Sequence, residues 1–372
     1  MNYRGQRYQT LWHEASDDSV WIIDQTRLPG EFVKVQLSDL DDAITAIADM
    51  QVRGAPLIGA TAAFGMALQM RTDPSDTALV QSASALVSAR PTAINLAWAV
   101  TRMGDHLSPL KPEHRSAAAL ELSLDICRED VALCSAIGEH GLTLIEAIAE
   151  QRQGPVNILT HCNAGALATL DFGTATAPIY KAFDRGLDVH VWVDETRPRN
   201  QGAALTAWEL GAHGVPHTVI VDNAGGHLMQ HGEVDLCFVG TDRTVANGDV
   251  CNKIGTYLKA LAAKDNSVPF YVCAPSPSID WRLNDGLRQI PIEQRHGDEV
   301  RFVQGVDRAG NMTQVDVVAG DSAVRNDAFD VTPARLITGI VTELGLCEPS
   351  TQGLASQFPE LAAAGLKKSA QH

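Results

Sequence analysis

The spacing of apolar and polar positions changes along this chain, and the change divides it into two parts. Near the start, two short apolar runs, VWIID (20–24) and FVKVQL (32–37), flank the turn sequence LPGE. Two such runs with a turn between them predict a β-hairpin. From Leu40 to Glu150 the apolar residues mostly recur at three- and four-residue intervals, which predicts a series of helices. Residues 1–150 are therefore expected to form a mainly helical N-terminal domain that carries a β-hairpin.

The spacing of the apolar residues changes after the segment QRQGP (151–155), which marks the best domain boundary. From there on, β-rich runs alternate with helical patterns such as 202–213 and 252–264. The β-rich runs are NILTHC (157–162), DVHVWVDE (188–195), HTVIVDN (217–223), DLCFVGTD (235–242) and PFYVCAP (269–275). Near-continuous apolar strands with helical crossovers are typical of a parallel α/β sheet covered on both faces. Residues 151–372 are expected to form this second domain.

Four of these runs end in side chains that can do chemistry. The stretch ILTHCNAGA (158–166) indicates a strand that runs into a helix, with the thiol of Cys162 at the junction. The other three runs end near Asp194, Asp222 and Asp242. Parallel strands end at one edge of their sheet, so these groups are expected to meet in one crevice. A single polar residue at a strand end is usually a helix cap, but caps do not explain a thiol together with several carboxylates. The pattern favours an enzyme.

Charge and composition narrow the choice of ligand. Forty-five acidic against 29 basic residues give a formal net charge of −16, which argues against binding to nucleic acid or to an anionic membrane. Seven cysteines without regular spacing fit reduced thiols in the cytoplasm better than a disulfide framework. The sequence has neither a secretory signal pattern nor a run of about 18 uncharged apolar residues. A cytoplasmic protein that does not span a membrane is therefore expected.

An anionic ligand would need a locally basic site, and the clearest candidate is RGAPLIG (53–59), which precedes an Ala-rich helix. Arg53 supplies a planar guanidinium, Gly54 lets the backbone come close to a ligand, and Pro56 fits the first turn of the helix. A plain helix start beside a surface arginine is the alternative. Arg90 could face a ligand in the same way, or could be a solvated arginine.

Polar residues near two further predicted helix starts could complete such a site. Gln201 could bind sugar hydroxyls or phosphate, and Asn252 and Lys253 could hold a phosphate through amide and ammonium contacts. Taken alone, Lys253 could equally be an exposed helix lysine. Neither G-x-G-x-x-G nor G-x-x-x-x-G-K-[ST] occurs, so a dinucleotide or nucleoside triphosphate would lack its phosphate loop.

No metal site is predicted. His161 and Cys162 are adjacent in a predicted strand, so their side chains should point to opposite faces, and no C-x-x-C or H-x-x-x-H companion completes a ligand set. The same alternation argues against a cysteine hydrolase, because His161 could not easily act as the base for Cys162.

Seven long stretches carry a family resemblance that spans almost the whole chain. They are RGAPLIG (53–59), RPTAINLAWA (90–99), ILTHCNAGALAT (158–169), DETRPRNQGAALTAWEL (194–210), VGTDRTVANGDVCNKIGTY (239–257), PFYVCAPSPSID (269–280) and AFDVTPARLITGIVTE (328–343). In these stretches the chain resembles the methylthioribose-1-phosphate isomerases, which share a fold with the regulatory subunits of the eukaryotic translation initiation exchange factor. The resemblance implies a helical N-terminal domain with a β-hairpin, a Rossmann-like C-terminal domain and a homodimer.

The resemblance also implies an activity and a set of site residues. The activity is conversion of 5-methylthioribose 1-phosphate to 5-methylthioribulose 1-phosphate in methionine salvage, with no cofactor and no metal. Cys162 and Asp242 would be the catalytic pair. The implied contacts with phosphate and substrate are Arg53, Gly54, Ala55, Arg90, Gln201, Asn252 and Lys253. Alternatives are an isomerase of 5-deoxyribose 1-phosphate or ribose 1,5-bisphosphate, and a noncatalytic regulatory subunit.

This reaction places opposite demands on the pair. Asp242 is assigned as the proton donor or shuttle, so it must hold a proton near neutral pH, and apolar walls would favour that. Cys162 is assigned to take or stabilise charge at C1 and C2 of the sugar. A thiolate at a helix N-terminus would be stabilised, so the site is expected to push the two pKa values apart. Either a proton or a hydride could move between C2 and C1.

Overall fold

Antiparallel strands and five helices make up the N-terminal part of the chain. The computed structural model describes residues 1–369. This part contains β1 (Asn2–Tyr3), β2 (Gln6–Arg7), β3 (Leu11–Glu14), β4 (Ser19–Ile23), β5 (Lys34–Leu37), α1 (Leu40–Ala48), α2 (Ala55–Thr72), α3 (Asp76–Ala89), α4 (Ile94–Leu107) and α5 (Pro112–Ala149). The predicted β-hairpin is β4 with β5, and β3 adds a third antiparallel strand on the other side of β4.

Local sequence explains where these helices begin. The side chain of Asp39 accepts a hydrogen bond from the amide of Asp42 at the start of α1, and Ser75 does the same for Ala78 at the start of α3. Helix α2 begins differently, with Pro56 in its first turn and no side-chain cap. Its amino end is therefore open to another partner. The helix is buried on nearly all sides among the others, and its many alanines allow that close packing.

Parallel strands and crossover helices make up the rest of the chain. It contains β6 (Val156–Thr160), α6 (Ala177–Asp184), β7 (Val189–Asp194), α7 (Ala207–His213), β8 (His217–Ile220), α8 (Ala224–Gln230), β9 (Leu236–Val239), β10 (Arg243–Val245), β11 (Val250–Lys253), α9 (Thr256–Asp265), β12 (Phe270–Cys273), β13 (Ile279–Asp280), α10 (Gly286–Gln289), α11 (Asp298–Arg301), β14 (Phe302–Val306), β15 (Met312–Asp316), β16 (Phe329–Thr332), β17 (Gly339–Thr342), β18 (Gly345–Cys347), α12 (Thr351–Gln357) and α13 (Pro359–Ser369). A 3₁₀ turn (Ala166–Ala168) follows β6, and a π-helical turn (Gly202–Thr206) leads into α7.

The main sheet has seven strands in the order β18-β17-β12-β9-β6-β7-β8. All neighbouring pairs are parallel except β17 with β18, which are antiparallel. The five predicted strands are confirmed as β6, β7, β8, β9 and β12. Strands β6 and β9 are neighbours, so the loops that follow them leave the sheet side by side. A smaller four-stranded sheet, β13-β10-β11-β16, stands beyond the end of β9.

Two local predictions are wrong. The chain does not enter an α-helix at Cys162, because Cys162 has φ 67° and the segment after β6 forms a loop and a 3₁₀ turn before α6 begins. Asn252 and Lys253 do not lie at a helix start, since both belong to β11 and α9 begins at Thr256.

Helix α5 joins the two parts of the fold. Its first half packs into the N-terminal core and its second half into the core around β6 and β7, so a domain boundary at residue 150 stays a prediction. Within residues 1–369, α5 is the one helix that is long and apolar enough to cross a membrane, by length and composition alone. Buried core helices pass the same test, and α5 also buries Arg115 and Asp130.

Candidate active site

The loops after β6 and β9 meet the amino end of α2 at a narrow cavity. The residues that line it include Arg53, Gly54, Ala55, Arg90, Cys162, Gln201, Asp242 and Lys253. Asn252 lines a smaller adjoining cavity together with Arg53, Cys162 and Asp242. The structure therefore brings together all nine side chains and backbone positions that the sequence indicated. Their individual roles are taken up below.

Cys162 is held firmly at the floor of this cavity. The side chain is 6% exposed, and its Sγ donates to Oε1 of Gln201 at 3.2 Å. Its backbone amide donates to Oγ1 of Thr196 at 2.8 Å, and its carbonyl accepts from Oγ1 of Thr206 at 2.6 Å. Both backbone groups of Cys162 are thus fixed by threonine hydroxyls, which keeps the residue in its left-handed conformation.

The expected thiolate is not favoured here. Burial raises the pKa of the Cys162 thiol, and the nearby cations Arg53 and Lys253 counter only part of that effect. The α-helix whose amino end was expected to stabilise a thiolate is also absent at this position, as described above. Cys162 therefore rests as a thiol that donates a hydrogen bond, and the prediction of an ionised sulfur is wrong.

Asp242 follows β9 and faces the same cavity. Its backbone amide donates to the carbonyl of Cys251 at 3.0 Å. Desolvation raises the pKa of the Asp242 carboxyl, while Lys253, Arg53 and Arg90 act in the opposite direction. This agrees in direction with the expectation that the carboxyl can hold a proton. Burial thus raises the pKa of both Asp242 and Cys162, whereas the sequence predicted that the site would push the two pKa values apart.

Three cations surround the cavity, and none is fully neutralised. Arg53 donates through both terminal nitrogens to the side-chain and backbone oxygens of Asn163. Arg90 donates to Oε2 of Glu293 at 3.2 Å, yet its buried Nε has no hydrogen-bond partner among the described residues. The ammonium of Lys253 lies 4.6 Å from the ring centroid of Phe329. Burial lowers the pKa of Lys253 and of Arg53.

The amino end of α2 adds backbone donors to these cations. Gly54 has φ 96°, and a Cβ at this position would lie 2.4 Å from the carbonyl oxygen of Ala168. Only glycine lets the chain turn here while it touches the loop after β6. The turn directs the unpaired amides of an 18-residue helix towards the cavity. Anions bind readily at such helix ends.

The other strand-end carboxylates support the site from behind. Asp194 Oδ2 lies 2.8 Å from Nδ1 of His161 and 3.2 Å from Nζ of Lys259. Asp222 accepts from the amides of Thr196 and Arg197 at 2.7 and 2.8 Å. His161, Asp194 and Asp222 offer potential metal-ligand atoms within 4.8 Å of one another, but these protein donors already engage them.

Sequence reasoning missed several residues that shape the cavity. Glu293 reaches Arg90 across 203 positions of sequence, and Phe329 lies under Lys253. Asn163 was visible beside Cys162, but a loop asparagine has many ordinary uses and its partner Arg53 is 110 positions away. The sequence signal for these partners was too weak, because each depends on a long-range contact.

A second cavity of about 230 Å³ opens beside the first. Met50, Arg53 and Gln201 line both cavities. The lining of the second one includes the apolar side chains of Leu28, Met50, Val306 and Met312 together with polar side chains such as Arg199 and Gln304. The hairpin β14–β15 supplies Val306 and Met312 to this lining.

Comparisons with known proteins identify the family of the chain. Residues 51–349 match the Initiation factor 2 subunit family. The methylthioribose-1-phosphate isomerase of Rhodospirillum rubrum is 60% identical over 370 residues, with coverage of 98% of this chain and 95% of that protein. The protein of the same name from Methylorubrum extorquens is 59% identical over 360 residues, with 97% and 99% coverage.

Two solved structures have a fold similar to that of this chain. The 5-methylthioribose 1-phosphate isomerase from Pyrococcus horikoshii superposes with a TM-score of 0.81 at 37% identity, with coverage of 95% of this chain and 96% of that one. The translation initiation factor eIF-2B delta subunit from A. fulgidus gives 0.78 at 33% identity, with 95% and 100% coverage. The mixed α/β fold is thus shared with both an isomerase and a translation factor subunit. The chain belongs to the Initiation factor 2 subunit family.

Proposed function

We propose that this protein is an aldose–ketose isomerase that converts 5-methylthioribose 1-phosphate to 5-methylthioribulose 1-phosphate. The observation that carries the proposal is a buried carboxyl whose pKa is raised by desolvation, Asp242, beside a thiol, Cys162, in a cavity ringed by incompletely paired cations. Isomerases of this name cover nearly the whole chain at about 60% identity. A noncatalytic subunit would have no need to keep this acid, thiol and cation set together.

The cations and the amino end of α2 would bind the substrate phosphate. Arg53, Arg90 and Lys253 supply positive charge in a protein whose net charge is −16, and Gly54 and Ala55 add backbone atoms. The unpartnered Nε of Arg90 is a donor that an oxygen of the phosphate would satisfy. Gln201 and Asn252 are placed to contact sugar hydroxyls or phosphate oxygens.

An aldose 1-phosphate cannot open as a free sugar does, because its anomeric oxygen is esterified. The bond between C1 and the ring oxygen must break while hydrogen moves from C2 to C1. In our proposal Asp242 donates a proton to the ring oxygen, a hydride shifts from C2 to C1, and the Asp242 carboxylate takes the proton of the C2 hydroxyl. Cys162 borders the reacting carbons as a neutral thiol and stabilises the charge that develops there.

The second cavity fits the 5-substituent. Its apolar side chains, Leu28, Met50, Val306 and Met312, suit a methylthio group. A second phosphate, as in ribose 1,5-bisphosphate, would instead require a cation there besides Arg53, which is assigned to the first phosphate. Arg199 lines the cavity, but its Nη1 lies 2.9 Å from the carboxylate of Glu299. 5-Deoxyribose 1-phosphate has neither a methylthio group nor a second phosphate. It is therefore a closer alternative substrate than ribose 1,5-bisphosphate.

We also infer a cytoplasmic homodimer. An open groove of about 980 Å³ runs between α4, α5 and the C-terminal α13, and its lining includes the large apolar side chains of Trp98, Leu133, Trp281 and Leu361. A patch of this kind on a single chain favours a partner. Analytical ultracentrifugation is expected to give twice the chain mass of 39.9 kDa. A single species at the mass of one chain would contradict the dimer.

The substrate assignment is tested by comparing kcat/KM for ketose formation from three sugars. These are 5-methylthioribose 1-phosphate, 5-deoxyribose 1-phosphate and ribose 1,5-bisphosphate. The first is expected to react most efficiently, and the bisphosphate at least about 100-fold less so, because Arg53 would already hold the first phosphate and Arg199 is paired with Glu299. A preference for the bisphosphate would refute the assignment, and no turnover of any of the three would favour the noncatalytic subunit.

The catalytic pair is tested by Asp242→Asn and Cys162→Ser. Each is expected to lower kcat by a factor of about 100 to 10,000, since the amide cannot donate an acidic proton and the hydroxyl is smaller and less polarisable than the thiol. Circular dichroism and thermal melting should show folded protein in both cases. Cys347→Ser, at a cysteine far from the cavity in β18, is the matched control and should keep normal kcat. Near-normal turnover of either site variant would remove that residue from the pair.

The hydride route is tested with substrate deuterated at C2. Burial raises the pKa of the Cys162 thiol, which makes it a poor base for the C2 hydrogen, and our proposal assigns Asp242 to the ring oxygen. The deuterium is therefore expected at C1 of the ketose, with little loss to water. Mass spectrometry or proton NMR of the product measures this. Extensive washout of the label would show that a base removes the hydrogen as a proton.

A further inference from the structure

Behind Arg53 a line of buried polar groups leads away from the cavity to a carboxylate. Oδ1 and the carbonyl oxygen of Asn163 accept hydrogen bonds from Arg53. Nδ2 of Asn163 donates to Oε1 of Glu209 at 2.5 Å and to Oγ1 of Thr206 at 3.1 Å. Arg53, Asn163 and Glu209 are 7%, 2% and 1% exposed. Glu209 has no contact with the cavity and is not used by the mechanism above.

The packing around Glu209 is built to admit its carboxylate. A Cβ at Gly165 would lie 1.6 Å from Oε1 of Glu209, so only glycine leaves room for the carboxylate to reach Asn163. On the other side, Oε2 accepts from the backbone amide of Leu167 at 3.4 Å. The protein groups that bind Glu209 are thus donors.

An acceptor-only partner decides which way an asparagine amide points. A carboxylate can accept hydrogen bonds but cannot donate them. Glu209 therefore turns Nδ2 of Asn163 towards itself, and this leaves Oδ1 facing the guanidinium of Arg53. With the amide reversed, Nδ2 would meet the N–H groups of Arg53, donor against donor. We propose that Glu209 is a positioning residue that aims Arg53 at the substrate phosphate by fixing the orientation of the Asn163 amide.

The ionised form of Glu209, which can only accept hydrogen bonds, prevails above about pH 7. Burial raises the pKa of Glu209 to about 7, against the hydrogen bonds from Asn163 and from the backbone amides of Leu167 and Ala166. Asp130 has a similar environment but no link to Arg53. It accepts from the amide of Leu170 at 2.8 Å, and burial raises its pKa to about 7 as well.

The inference rests on the proposed function, because it assumes that Arg53 binds the substrate phosphate. The test is Glu209→Gln, in which the carboxamide must present its own NH₂ either to Asn163 or to the amide of Leu167. KM is expected to rise about 10- to 100-fold, the loss of one charge-assisted hydrogen bond, while kcat changes less than about threefold. A purely structural role would lower the melting temperature without raising KM.

Asp130→Asn is the matched control, since it also removes the charge of a buried carboxylate. Its KM should equal that of the wild type even if its melting temperature falls. An unchanged KM in folded Glu209→Gln, or an equal rise in Asp130→Asn, would overturn the proposal. If Glu209→Gln does not fold, Asn163→Ala carries the test, because it releases Arg53 from the other side and should raise KM in the same way.

Binding of inorganic phosphate separates this inference from the proposed function. Calorimetry on the wild type and on the Glu209→Gln and Asp130→Asn variants needs no turnover. A dissociation constant raised about 10-fold or more in Glu209→Gln alone would support the positioning role even if no sugar phosphate reacts. Equal phosphate affinity in all three would overturn it. Wild-type protein that binds no phosphate and turns over no sugar would overturn both proposals.

Discussion

The parallel pairing of β6 with β9 is the constraint on which the site depends. These strands lie side by side near the centre of the seven-stranded sheet. Their loops leave the same edge, so Cys162 and Asp242 come together although 80 positions separate them, 242 − 162. The amino end of α2 then covers this edge, with Gly54 against the loop after β6. Shifting either strand by one residue would turn its side chains to the opposite face and separate the pair.

A second constraint is electrostatic. The chain is acidic overall, yet the cavity brings together three buried cations, Arg53, Arg90 and Lys253. Buried charges of one sign repel each other, so each of these cations needs a neighbouring group that stabilises it. Two of the cations contact oxygen atoms, and the third lies over an aromatic ring. Asn163 holds Arg53 and Glu293 holds Arg90, while Lys253 lies over Phe329. Asn163 and Phe329 are neutral, so these three cations and their partners keep a net positive charge that can bind an anion.

Much of this arrangement could be predicted from the sequence. The hairpin β4–β5, the five parallel strands and the convergence of Cys162 with Asp242 followed from apolar periodicity and from the geometry of parallel sheets. The helix at Cys162 was predicted wrongly, because a run of small residues after a strand resembles a helix start. In the fold, contacts to Thr196 and Thr206 capture the backbone of Cys162 instead. Such tertiary hydrogen bonds leave no periodic signal in the sequence.

The resting state of Cys162 has a consequence for its chemical durability. Oxidants and electrophiles attack thiolates far faster than thiols, and exposure controls how often they arrive. Cys162 is 6% exposed and burial raises the pKa of its thiol, so it is neither readily reached nor readily ionised. The site can thus keep a polarisable atom beside its substrate without the sensitivity to peroxide that reactive cysteines carry. Its activity should persist through oxidative conditions that inactivate thiolate enzymes.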